Sequence, residues 1–320
     1  MTLDPHALLS AQHTIFAVES CRIPLGEWIS DGVDWLLANA QVVFSVIVLI
    51  VNGLTSTLQT VLLAPPAWLL IGLIVLLGAW RVNWRFGLFA LAALALVLGL
   101  GLWHDTVATL ALVLAATVVS LIIGVPIGIW AARSDRVWKV VQPVLDFMQT
   151  MPAFVYLIPA VMFFSTGKVP GVIATIIFSM PPAVRLTNLG IRHVSKEMVE
   201  AGLAFGCTPR QLLFKVQIPA AMPSIMAGVN QNIMLALSMV VIASMIGAGG
   251  LGDVVLRGIQ RLDVGLGFEG GIGVVVLAII LDRITQSFGQ HRRTGIGERL
   301  RALFLEQNNG DRSAGKKEAR

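Results

Sequence analysis

Residues 200–211 read Glu200-Ala201-Gly202-Leu203-Ala204-Phe205-Gly206-Cys207-Thr208-Pro209-Arg210-Gln211, and the line runs on through Val216-Gln217-Ile218-Pro219. This polar stretch stands between two strongly apolar ones, and its punctuation is that of two short helices meeting at an elbow. Ser195 is placed to cap the first helix, and Gly206 supplies the left-handed residue that closes it. Thr208 is placed to cap the second, with Pro209 at its first position and Gln211 three residues after the cap, which makes a capping box. Helices that stop and restart within a few residues are stiff. Glu200, Ala201 and Gly202 then offer a small-residue surface that a partner's cleft can approach closely, while Arg210 and Lys215 keep the segment solvated.

The remainder of the chain is a membrane sequence. Of its 320 residues, 56% are hydrophobic and only 13% charged, and the mean hydropathy of +0.81 lies outside the range of soluble domains. A formal charge of +5 raises nucleic acid as a partner, but no basic stripe interleaved with aromatics is present. Lys and Arg sit beside apolar runs instead, where they signal orientation. Cys21 and Cys207 lack ligand-like neighbours, so neither a disulfide nor a metal site is indicated. His6, His13, His104, His193 and His291 are scattered, no nucleophile-base pair emerges, and no catalytic residue is assigned. The glycine-rich runs 247–252 and 265–273 superficially resemble phosphate cradles and read better as flexible loops or close helix packing.

A bilayer-spanning helix needs about 20 apolar residues. Eight stretches meet or approach that length: 42–64, 66–80, 86–103, 106–132, 140–164, 171–191, 222–246 and 271–288. The second is short, and the second and third read alternatively as one re-entrant pair, which leaves seven or six. The fold class is therefore all-α, a polytopic helical membrane protein. It divides into an N-terminal cytoplasmic or interfacial segment (1–34), accessory spans (35–103), a core (104–290) carrying the cytoplasmic loop 192–219, and a charged tail (291–320). In the first segment, Ile15, Phe16, Val18, Ile23, Leu25, Trp28 and Ile29 are spaced for an interfacial helix with Trp28 and Trp35 at headgroup depth, a tail without structure being the alternative. That segment lacks the pattern of a removable secretory signal. Short loops rich in Lys and Arg alternate with loops nearly devoid of them: Arg81 and Arg85, then Arg133, Arg136 and Lys139, then Arg192, Lys196, Arg210 and Lys215, then Arg283, Arg292 and Arg293. By the positive-inside rule these loops, the elbow and both termini are cytoplasmic, and 247–270 lies outside.

The elbow resembles the Glu-Ala-Ala loop of type I ABC importer permeases, in which Glu-Ala-Ala is followed three residues later by Gly and then by an Ile-x-Leu-Pro ending. Here the match is Glu200-Ala201-Gly202, Gly206 and Val216-Gln217-Ile218-Pro219, departing at Gly202, Val216 and Ile218. The likeness extends over roughly 106–286, with Gly124-Val125-Pro126-Ile127-Gly128 similar to the opening helix of that MetI-like core. Pro143-Val144-Leu145-Asp146-Phe147-Met148-Gln149-Thr150-Met151-Pro152-Ala153-Phe154-Val155-Tyr156 resembles, more narrowly, the permeases of glycine betaine, proline betaine and choline uptake, a quaternary-ammonium transport serving osmoprotection. The resemblance implies an inner-membrane permease subunit, usually a homodimer surrounded by lipid, that is not itself an enzyme and holds no cofactor. ATP and Mg would be used by a separate cytoplasmic ATPase docked on Glu200, Ala201, Gly202, Gly206, Thr208, Pro209, Gln211 and Pro219. An extracytoplasmic substrate-binding protein would deliver cargo. Consistent with that division, no Gly-x-x-x-x-Gly-Lys-Ser/Thr phosphate loop is present.

Prolines at Pro152, Pro159, Pro181 and Pro182 are expected to break the hydrogen-bond ladder of the fifth and sixth spans, so the pathway candidates are Met151, Pro152, Phe154, Tyr156, Pro181 and Pro182. Phe147, Phe154 and Tyr156 have π faces suited to a trimethylammonium group, and Asp146 has the charge to attract one; the plainer reading is aromatic packing and an Asp146 paired with Arg or Lys. A permease for another small amine or amino acid is the nearer alternative function. An ion-coupled secondary transporter is the alternative of a different class, and the scarcity of charge in the middles of the spans opposes it.

Overall fold

The computed structural model describes residues 24–289. They fall in two compact units, 1–50 and 51–320, and no strand occurs among the described residues. In the first unit, α1 (Leu25–Asn39) exposes Trp28, Ile29, Trp35 and Leu36. These residues share one helical face, while Glu27, Asp31 and Asp34 fall on the opposite one, the arrangement of a helix lying in a membrane interface. A helix is thus present from Leu25 onward; Ile15, Phe16, Val18 and Ile23 lie outside the described residues. The first unit also holds the start of α2 (Gln41–Leu63), which exposes Val42, Val43, Val46, Leu49 and Ile50, as a lipid-facing helix would.

The second unit continues with α3 (Ala67–Arg81), α4 (Trp84–Gly99), α5 (Trp103–Arg133) and α6 (Asp135–Thr150). A 3-10 turn (Ala153–Tyr156) leads to α7 (Leu157–Phe164) and α8 (Lys168–Arg192). After these come α9 (Lys196–Ala204), α10 (Pro209–Gln211), a π-helical stretch (Leu212–Gln217), α11 (Ile218–Ser238), α12 (Val240–Ser244), α13 (Leu251–Arg261) and α14 (Val264–Gly289). Among the described residues, five helical runs are long and apolar enough to cross a bilayer: α2, α5, α8, the run from α10 through α11, and α14. Taken together, α6, the 3-10 turn and α7 are also long and apolar enough, but they are bent by 106°, the geometry of a broken span or a re-entrant loop. The stretch 140–164, expected as one span, is therefore two helices at nearly a right angle. Two of the expected spans, α3 and α4, are shorter apolar helices of 15 and 16 residues. The Arg81 guanidinium at their turn nevertheless lies 4.1 Å from the Phe288 ring, one residue from the end of α14.

At the centre stand α5, α8 and α11, and the reason is residue size. A side chain on Gly128 would meet the Thr187 Cβ and the Val184 carbonyl at 2.7 Å, and one on Gly190 would meet the Ser224 Cβ at 2.7 Å. Helices associate in lipid through such close approach and interhelical hydrogen bonds, because lipid tails are as apolar as the side chains and supply no hydrophobic drive. Asn232, fully buried on α11, donates from Nδ2 to the Ser179 carbonyl on α8 at 2.9 Å. Pro181 and Pro182 are buried in this seam. Contrary to the sequence expectation, α8 runs through both without interruption, since tight neighbours on two sides hold a proline-containing helix together.

Side-chain ties sort the helix ends into two layers. Arg192 at the end of α8 pairs with Asp135 at the start of α6. At the opposite ends, the Gly167 amide donates to the Ile246 carbonyl, the Leu251 amide to Thr109 Oγ1, and Lys168 Nζ to Gln59 Oε1. The basic loops around 133–139 and 192–215 therefore share one layer, as charge alternation requires. Residues 247–270 contain α13, packed on α14 through Gly270 and Gly273 against Val255 and Leu251, so that close helix packing, and not a flexible loop, accounts for the second glycine-rich run. Ile71, Leu94 and Val97 of the α3–α4 hairpin join Leu251, Val254, Val276 and Ile280 in one buried cluster.

Candidate functional site

The elbow forms as its sequence dictates, with one exception and one extension. After α9, Gly206 has φ +76°; its amide donates to the Leu203 carbonyl (2.9 Å), and the Cys207 amide donates to the Gly202 carbonyl (3.1 Å). That pair of crossed bonds is a Schellman closure, which needs a left-handed residue at its corner. Two residues later the capping box is complete. The Gln211 amide donates to Thr208 Oγ1 at 3.3 Å, and the Thr208 amide donates to Gln211 Oε1 at 2.9 Å, with Pro209 at the first position. The exception is Ser195, which stands at the N-cap of α9 but makes no side-chain cap hydrogen bond.

The extension is that the second short helix does not stop. It passes through the π-helical stretch directly into α11, the Ile218 amide donating to the Leu213 carbonyl five residues back. Pro219 explains the widening: it has no N–H to offer the carbonyl four residues earlier, so the preceding turn opens. The elbow is thus continuous with a spanning helix.

Exposure changes which residues a partner would touch. Glu200 and Ala201 are exposed, but Gly202 is buried, where an added Cβ would come within 2.7 Å of Leu212 Cδ1. It fits the second helix against the first and is not part of the open surface. The exposed apolar residues are Phe205 at 89%, with Met198, Leu203 and Phe214. The small residues of the motif do not point to them, yet large apolar side chains held out from a polar loop are the usual mark of a protein contact. Behind the elbow lies a cleft of about 440 Å³, bordered by Arg133, Arg192, Lys196, Glu200, Pro209 and Gln217.

The pathway candidates separate into two places. Pro181 and Pro182 are sealed between helices. Met151 and Pro152 occupy the α6–α7 break, where Met151 and Pro152 both adopt extended backbone, with ψ of 137° and 135°. Phe154 and Phe147 are exposed. Tyr156 is buried among Leu157, Ala160, Ala174 and Met239, and its hydroxyl donates to the Met148 carbonyl at 2.7 Å, so its ring is a packing element and offers no open π face. Pro159 sits in the first turn of α7, where a missing N–H is tolerated.

Two ion pairs tie α6 to α8. Arg192 is held from three directions, by Asp135 Oδ1 (2.6 Å), Asn188 Oδ1 (2.8 Å) and the Ala131 carbonyl (2.8 Å). Arg185 contacts Asp146 through Nη2 alone, and its buried Nε has no partner among the described residues. Asp146 is thus paired with a cation, the plainer of the two sequence readings. On α14, Asp282 is satisfied by amides, accepting from Asn230 Nδ2 and Gln286 Nε2 at 2.7 Å each. Among the described residues, no group of three or more His, Cys, Asp or Glu is arranged to hold a metal ion.

Residues 124–294 match the family described as binding-protein-dependent transport system inner membrane component. The chain is 52% identical over 273 residues to the glycine betaine/proline betaine transport system permease protein ProW of Escherichia coli, covering 85% of this chain and 77% of that one. To the glycine betaine/carnitine transport permease protein GbuB of Listeria monocytogenes it is 53% identical over 277 residues, covering 85% and 98%. Among solved structures, an inward-facing conformation of the MetNI methionine ABC transporter shares the fold, with a TM-score of 0.52 at 19% identity over 57% of this chain and 93% of that one. A long α8 followed by a capped elbow that feeds a second spanning helix is therefore accompanied by sequence likeness over most of the chain, which belongs to the family of binding-protein-dependent transport system inner membrane components.

Proposed function

We propose that this chain is the permease subunit of an ATP-driven importer of glycine betaine or a closely related betaine, and that its elbow receives movement from a separate cytoplasmic ATPase. The observation that carries this reading is the elbow itself. A Schellman closure and a capping box lock its two helices, Phe205 projects from its tip, and its second helix continues into α11, so force applied at the tip reaches a spanning helix without a hinge. The cargo is supported by the names of the relatives that match over 85% of the chain.

In this reading the chain performs no bond chemistry. ATP and Mg are used by the ATPase, an extracytoplasmic binding protein delivers the cargo, and two copies of the permease enclose one pathway within the lipid. The elbow, the loops bearing Arg81, Arg133 and Arg192, and both termini face the cytoplasm. Alternating access requires only that nucleotide-dependent docking favour one of two pathway states by a few kcal/mol.

The test is uptake of labelled glycine betaine into proteoliposomes holding the permease with a partner ATPase and a substrate-binding protein. Uptake that requires ATP and both partners is expected. Uptake driven by an ion gradient without the ATPase would overturn the reading in favour of a secondary transporter.

A further inference from the structure

The Asp146–Arg185 pair is placed where a purely structural tie is hard to justify. Asp146 lies eleven residues into α6 and Arg185 seven residues before the end of α8, about 16 Å and 10 Å along their helices. Yet the side chains remain 53% and 35% exposed. Within a membrane, partly exposed charges turn toward water or protein, because hydrocarbon contact is costly. The open side of the pair therefore does not face lipid. Gln142, Asp146 and Gln149 recur at the four- and three-residue spacing of one helical face and are all exposed; Asp135 and Lys139 carry the same stripe back to the start of α6. Phe147 is exposed beside it.

The pair also has unused capacity. Arg192, one level nearer the helix ends, has three partners, whereas Arg185 makes one side-chain bond, through Nη2; its Nε is enclosed by protein, which leaves Nη1 as the donor without a hydrogen bond among the described residues. A guanidinium with free donors is suited to a second carboxylate.

We infer that Asp146 and Arg185 form a relay subsite for compact zwitterions that join a quaternary ammonium to a carboxylate. Arg185 receives the carboxylate, while Asp146 and the face of Phe147 receive the ammonium. The cargo inserts by exchange: each protein charge gives up its partner for the matching charge of the zwitterion, so neither charge is left without a counter-charge at any stage. Such exchange suits a site that must release its occupant. The inference rests on the betaine cargo proposed above.

The test uses the reconstituted importer with its ATPase and binding protein, and reads betaine molecules moved per ATP hydrolysed. In Asp146→Asn/Arg185→Gln, which leaves no orphan charge, that ratio is expected to fall about tenfold. An unchanged ratio overturns the subsite, as does a parallel decline of uptake and hydrolysis, the signature of a lost helix tie. Should the neutral pair fail to assemble, Arg185→Lys keeps the ion pair but removes the fork that receives a second carboxylate, and is expected to lower the ratio about threefold; no change there counts equally against the site. Absence of ATP-dependent betaine uptake by the unaltered complex would instead overturn the cargo assignment.

Discussion

The elbow and the α6–α7 break are both places where a helix stops near a proline and restarts, yet they are secured differently. At the elbow, two crossed backbone bonds close α9 and two reciprocal side-chain bonds open the next helix, all within residues 202–211. At the break, α6 ends without a left-handed residue, Thr150 Oγ1 donating back to the Phe147 carbonyl at 3.3 Å, the 3-10 turn begins without a side-chain cap, and the main local tie across the corner is the Tyr156 hydroxyl on the Met148 carbonyl. Local hydrogen bonds define one corner, while packing against α8 and Met239 holds the other. A corner fixed locally moves as a unit; a corner fixed by packing yields when its neighbours shift. The first property suits a lever and the second a gate.

Substitutions that loosen the stiff corner should do the most damage. Gly206→Val forces a β-branched residue to φ +76° and should lower uptake about a hundredfold, the equivalent of roughly 3 kcal/mol of backbone strain and lost closure, with membrane abundance measured by immunoblot unchanged. Phe205→Ala leaves the elbow's shape intact and should weaken ATPase association about thirtyfold, read by titrating detergent-solubilised permease with the ATPase, since truncating an aromatic anchor costs about 2 kcal/mol. At the pliant corner, Pro152→Ala permits α6 to continue past Thr150 and should slow transport about tenfold while leaving ATPase association unaltered. Thr208→Ala removes one half of the capping box and should cost about 1 kcal/mol, a roughly fivefold loss of uptake. The smallest effect is expected from Tyr156→Phe, which deletes the tie to Met148 and should change transport by about threefold, in keeping with the roughly 0.6 kcal/mol typical of hydrogen bonds between membrane helices.

The same contrast explains what the sequence disclosed. Gly206, Thr208, Pro209 and Gln211 act on neighbours within four residues, so their roles are written locally and the structure repeats them. Gly202 was read as surface because the residue pressing on it, Leu212, arrives only when the elbow folds. The 106° bend is marked locally by Pro152, and the apolar run that follows from Ala153 to Phe164 conceals it. Pro181 and Pro182 carry the same local signal as Pro152 with the opposite outcome, because α5 and α11 enclose them. The helix α13 escaped notice for a related reason. Its glycines, Gly252 and Gly258, resemble loop punctuation, but they admit the Val240 carbonyl and the Gly267 backbone at distances no side chain would allow.

The central claim is that the elbow is rigid with respect to α11 while the α6–α7 corner is not. Spin labels at Leu203 and Ala220 report the first, and labels at Gln149 and Met162 the second, in a reconstituted complex whose Cys21 and Cys207 are replaced by Ser. On ATP binding, the Leu203–Ala220 distance should stay within about 1 Å while the Gln149–Met162 distance changes by several Å, more than the roughly 1–2 Å of an ordinary helix shift. A Leu203–Ala220 distance that changes as much as the other would contradict the account.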